Sequence, residues 1–139
     1  MNTLDLQSLR ALRNLTLTAD MMPEGSYSLD RFSWLVSTLQ SCPHPNRIEV
    51  ISIIIGTRNI DAVKSQQWNR LAAIFGPNIK EKWPKLACLY VDVNNENEAD
   101  LRNYKEGSLD VVVRPRMRLF DTNTLKIRVH GERLGFWNM

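Results

Sequence analysis

Four side chains in this sequence are of the kinds that attack electrophiles, take up protons or hold soft metals: Cys42, His44, Cys88 and His130. Cys42 and His44 lie two apart in a proline-flanked stretch. An imidazole that close can in principle deprotonate a thiol and turn it into a nucleophile. No partner motif accompanies the pair, so it reads as part of a structural loop. The cysteines stand 46 residues apart with no Cys-x-x-Cys spacing. That predicts two reduced, buried thiols rather than a disulfide framework or a zinc knuckle.

Other chemistry-bearing patterns are equally sparse. Asp92, Glu96, Glu98 and Asp100 form an acidic run with asparagines between them. Their spacing departs from that of a calcium loop and lacks its central glycine, so the stretch is expected to be a solvated rim loop. Gly25, Gly56 and Gly76 stand alone, with no GxGxxG and no GxxxxGK[ST] to cradle a phosphate. The Asn14-Leu15-Thr16 sequon reads as a chance match. No metal, cofactor or enzymatic activity is expected.

The 139 residues suit one domain, and 43% apolar with 24% charged residues matches ordinary globular chains. No apolar run approaches the roughly 18 to 20 residues needed to span a bilayer. Residues 1–20 alternate leucines with polar side chains and carry Asp5 near the start, unlike a secretory signal. An intracellular location, cytoplasmic or nuclear, is therefore expected. The formal charge of +3 is uneven: residues 1–100 hold 10 Lys and Arg against 11 acids, and residues 101–139 hold 8 against 4. The basic end either guards a strand edge or favours an acidic partner.

A helix-like segment followed by a short strand-like one recurs about four times. The strand candidates are Leu15–Thr18, Ile48–Ile55, Leu89–Val93 and Leu125–Val129, each alternating or β-branched and beginning roughly 33 to 41 residues apart. Before the second, Leu29, Phe32, Leu35, Val36 and Leu39 line one helix face, with Ser28 as N-cap. Before the third, Ile60 to Phe75 predicts one longer helix that Gly76 and Pro77 end. Leu4, Leu6, Leu9 and Leu12 suggest a first, partial helix, and Glu98 to Lys105 a short fourth. Met21 to Gly25, Cys42 to Asn46 and Val93 to Glu98 read as rim loops. Leu109 to Val113 looks like a strand, interrupted by Pro115 and continued by Met117 to Phe120.

Three of these strands fit the frame LxxLxLxxN, in which the leucines point inward and the asparagine side chain bonds backbone in the following turn. Leu12, Leu15, Leu17 and Asp20 fit it with Asp for Asn. Leu86, Leu89, Val91 and Asn94 fit it fully, and Ile48, Ile51 and Ile53 fit its apolar positions. The pattern, with Trp68 in the helix and Trp83-Pro84-Lys85-Leu86 before the strand, resembles the C-terminal leucine-rich-repeat-like region of fungal F-box-like proteins. No segment matches the F-box itself.

The resemblance implies an α/β fold over residues 1–139, a short irregular solenoid of about four helix–strand units with a parallel sheet, expected to be a fragment of a longer array. It implies a protein-interaction module akin to the substrate-recognition repeats of ubiquitin-ligase adaptors. The period exceeds the usual range of roughly 20 to 29 residues.

Such stacks bind through the strand face, where outward residues alternate with core ones. Alternation selects Thr16, Thr18, Ser52, Tyr90, Asp92, Lys126 and Arg128 as one row meeting a protein partner with an acidic or mixed epitope. Trp68 and Trp83 are expected in the core, Trp34 at its edge and Trp137 exposed. The uncovered Leu4, Leu9 and Leu12 predict self-association or marginal stability. A competing reading is nucleic-acid binding through Arg114, Arg116, Arg118, Lys126, Arg128 and Arg133, without any RNP, helix-turn-helix or zinc signature.

Overall fold

The computed structural model describes residues 10–21, 31–76, 79–117 and 123–131. Their elements run β1 (Asn14–Asp20), α1 (Arg31–Gln40), β2 (Val50–Thr57), α2 (Ile60–Lys64), α3 (Trp68–Phe75), α4 (Ile79–Lys82), β3 (Cys88–Asn95), α5 (Glu98–Asn103), α6 (Ser108–Arg116) and β4 (Leu125–Gly131). The four strands form one open parallel sheet in the order β1-β2-β3-β4.

Register partners Leu15, Ile51, Leu89 and Leu125 sit 36, 38 and 36 residues apart, a more even spacing than the strand starts read from sequence. Connections between parallel neighbours are almost always right-handed. Three successive steps in one direction therefore stack the helices on one face. Burial agrees: Leu15, Leu17, Ile51, Ile53, Ile55, Leu89, Val91, Val93 and Leu125 are all buried on that face.

The helices close the core with aromatic bulk. Trp68 is fully buried, meets Phe32 edge-on at 5.1 Å and donates its indole N–H to the Val63 carbonyl at 3.0 Å. Trp83 is also fully buried, 5.0 Å from the Phe75 ring. Trp34 is half-buried at the core's margin.

The expected single helix from Ile60 to Phe75 is two. Helix α2 stops at Ser65, and the Val63 carbonyl accepts from the Gln66 amide at 3.2 Å and from the Trp68 indole at 3.0 Å, where a continuous helix would give it the amide of Gln67. Leu109 to Val113 is helix, not strand. Leu109 and Val113, one turn apart, are fully buried, whereas Val111 between them is 73% exposed. The β-branched run misleads because the chain must cross over to reach β4, and helix packing overrides local propensity. Pro115 lies in the last turn of α6, which ends at Met117.

The acidic run is not a loop either. β3 extends to Asn95 and α5 begins at Glu98, so only two residues connect them. Gly76 does end α3 with a positive φ of 66°. Leu12 is half-buried. Leu4, Leu6, Leu9, Ser28, Leu29, Arg118, Arg133 and Trp137 lie outside the described residues.

Candidate protein-interaction face

The face opposite the helices is built from the alternate strand positions. One register row across it holds Thr16, Ser52, Tyr90 and Lys126, and the next holds Thr18, Ile54, Asp92 and Arg128. All seven residues selected by alternation thus fall in two adjacent rows, with Ile54 as the eighth member. Flanking rows add Asn14, Val50 and Cys88 on one side and Asp20, Gly56, Asn94 and His130 on the other.

The two rows are not equally accessible. Thr16, Thr18, Lys126 and Arg128 are exposed, and Ser52, Ile54 and Tyr90 half-buried. Asp92 is buried, at 6% exposure. Its carboxylate accepts from Arg128 Nε at 2.6 Å and Nη2 at 3.1 Å, and His130 Nε2 stands 3.5 Å away. Such a two-pronged pair fixes the plane of the guanidinium. The Arg128 guanidinium also lies 4.6 Å above the Tyr90 ring, a cation–π contact.

The hydrogen bond that Arg128 donates to Asp92 raises the Arg128 pKa further. Tyr90 is raised as well, chiefly by a hydrogen bond with Cys88. Asp92 is therefore a positioning residue: it holds Arg128 flat on Tyr90 rather than reaching outward itself. Alternation finds its face but not its burial, because Arg128 stands 36 residues away in sequence.

Between the two ends the face changes character, from the threonines of β1 to Lys126 and Arg128 on β4. Comparison with protein-family models, curated proteins and solved structures finds no match to this chain.

The turns at one rim repeat. Thr57 Oγ1 accepts from Asn59 N at 3.1 Å, and Asn59 caps α2 by accepting from Asp61 N at 2.8 Å. Thirty-eight residues on, Asn95 Oδ1 accepts from Asn97 N at 3.0 Å, and Asn97 caps α5 through Ala99 N and Asp100 N. The expected turn residue Asn94 is displaced by Asn95, whose side chain also donates to Asp100 Oδ2 at 2.7 Å. Asn94 is buried instead, one position earlier on the opposite side of the strand. Sequence signal for this exists in the shared spacing of Thr57-x-Asn59 and Asn95-x-Asn97.

The remaining chemistry-bearing groups do not converge into a nucleophilic centre. Cys42 is buried, and burial pushes its thiol up to about 11, against the opposing pull of Lys82. His44 is exposed. Cys88 is half-buried on the face away from the helices, not buried as expected. Among the described residues no group of acids, histidines and cysteines is arranged to hold a metal ion. No helix among them is long and apolar enough to cross a membrane.

The basic residues are divided between surfaces. Arg114 is bound to Asp110 at 3.1 Å and to the Leu125 carbonyl at 3.1 Å on the helix side, whereas Lys126 and Arg128 occupy the strand face.

Proposed function

We propose that this chain is a non-enzymatic protein-interaction module, a leucine-rich-repeat-like array of the kind that recruits substrates in F-box-like ubiquitin-ligase adaptors. The observation that carries the reading is the pair of register rows, Thr16-Ser52-Tyr90-Lys126 and Thr18-Ile54-Asp92-Arg128, on the face away from the helices. The even register offsets and the repeated Thr57/Asn95 turns support an array of equivalent units. Parallel stacking of such units presents a continuous strand surface for a partner. The bound segment is acidic at the β4 end, where Lys126 and Arg128 stand exposed beside the Tyr90 ring. Aromatic and arginine side chains together are common anchors of protein interfaces.

The test is affinity capture from a cell extract with the native chain and with Tyr90→Ala combined with Lys126→Glu. Arg128 is left intact so that Asp92 keeps its partner. A specific protein that is retained by the native chain, lost from the double variant and retained by a Lys80→Glu control is the expected result. Equal recovery by both chains overturns the reading.

A further inference from the structure

Strand β1 ends the sheet, and among the described residues no strand lies beyond it. Its backbone polarity is legible from two bonds. Val50 N donates to the Arg13 carbonyl at 3.2 Å, and Met21 N to the Gly56 carbonyl at 2.7 Å. Odd-numbered residues therefore pair with β2, and the N–H and C=O groups of Asn14, Thr16, Thr18 and Asp20 point outward. A parallel ladder leaves every second residue of an edge strand in this state.

Proteins usually blunt such an edge with lysine, proline or a bulge. β4 carries Lys126 and Arg128. β1, with the sequence Asn-Leu-Thr-Leu-Thr-Ala-Asp, has no lysine, arginine or proline, and its register with β2 runs unbroken from Asn14 to Asp20. Among the described residues it is the less protected of the two edges.

We propose that the outer edge of β1 is a self-association surface whose occupant is β1 of a second copy, paired antiparallel about a two-fold axis at Leu17. That axis, normal to the sheet, keeps the helices of both copies on the same side. It sets Thr16 opposite the partner's Thr18 and Asn14 opposite the partner's Asp20. These are the outward-pointing residues, so each facing pair exchanges two hydrogen bonds, as the narrow pairs of an antiparallel ladder require.

The helix-side row matches too. Leu17 meets the partner's Leu17, and Leu15 meets the partner's Ala19, all buried residues whose faces agree in this register and would disagree after a one-residue slip. Arg13, 3.7 Å from Glu49, and Asp20 stand at opposite ends of β1, so antiparallel pairing brings residues of opposite charge to the same end of the seam. The same patch thus serves both subunits, as a two-fold interface demands. The result is an eight-stranded sheet with the two β4 edges outermost.

The test uses the whole chain, alone, by sedimentation velocity from about 1 to 100 µM, where mass action makes assembly visible. The native chain should pass from monomer to dimer and no further. Thr16→Lys combined with Thr18→Lys sets like charges opposite one another in both facing pairs and should weaken the dimer about tenfold. The substitutions lie on exposed positions, and circular dichroism checks that the variant folds. Mixed Thr16→Cys and Thr18→Cys chains should form the heterologous disulfide in preference to either homologous one.

A native chain that stays monomeric, a dimer insensitive to the lysines, or a preferred crosslink between two Thr16→Cys chains overturns the proposal. The Tyr90→Ala, Lys126→Glu chain keeps β1 intact and should dimerise like the native one, so loss of partner capture and loss of the dimer are read separately.

Discussion

At the scale of single residues the informative group is Asp92 with Arg128. A buried carboxylate costs several kcal/mol in desolvation unless a counter-charge and hydrogen bonds accompany it, and here the guanidinium supplies both. Replacing Arg128 with methionine keeps much of the aliphatic packing on Tyr90 and removes only the donors. Because Arg128 is about half exposed, the loss is discounted from that of a fully buried pair and should be about 1 to 3 kcal/mol in urea unfolding. Asp92→Asn in the same background should recover part of it, since the neutral amide no longer carries an unpaired charge. A stability of the Arg128→Met chain equal to native would show that the pair is solvated and that Asp92 does not position it. Which residues face away from the helices was legible from alternation alone, at Thr16, Ser52 and Tyr90. That Asp92 is withdrawn from the surface was not, because its partner comes from a strand a whole unit later.

Among the elements, strands were the most legible and the crossovers least. Ile51-x-Ile53-x-Ile55 and Leu89-x-Val91-x-Val93 declare one apolar face by their period of two, and the sheet uses them so. In Leu109 to Val113 the same residue types occur in a helix, where burial of Leu109 and Val113 at a four-residue step decides the outcome. The turns entering α2 and α5 lie between these extremes. Their Thr-x-Asn and Asn-x-Asn patterns are visible, yet their role depends on bonds running between units: Asn97 Nδ2 donates to the Arg58 carbonyl at 3.2 Å, and Ile60 N donates to Asp100 Oδ2 at 2.8 Å. Asn59 caps one amide, whereas Asn97 caps two and ties its turn to the preceding one. Loss of an asparagine N-cap costs about 1 kcal/mol. Asn59→Ala should show that loss, and Asn97→Ala about 2 kcal/mol, by thermal or urea denaturation. Equal losses would mean that the link between units contributes nothing.

For the whole molecule the question is whether the recurring units unfold together. One set of buried side chains runs without interruption from Leu15 on β1 to Leu125 on β4, and the helix residues Phe32, Leu35, Trp68, Leu71, Leu109 and Val113 belong to it. The Asn59 and Asn97 turns add polar continuity along the rim. Arrays whose units touch only neighbours can lose cooperativity, but a chain of this length with a single core ordinarily unfolds in one step. Ile53 is the central test position, fully buried and in register between Leu17 and Val91. Ile53→Ala removes packing from the middle of that core and should cost about 2 to 5 kcal/mol, a large share of a typical domain's roughly 5 to 15 kcal/mol. Far-ultraviolet circular dichroism reads the whole sheet and helix layer, whereas fluorescence is weighted to the buried Trp68 and Trp83 of the middle units. In one cooperative core the two transitions coincide in the native chain and move together in Ile53→Ala. If fluorescence shifts while part of the dichroism change stays at its native midpoint, the outer units hold their structure independently, and the molecule behaves as separable repeats.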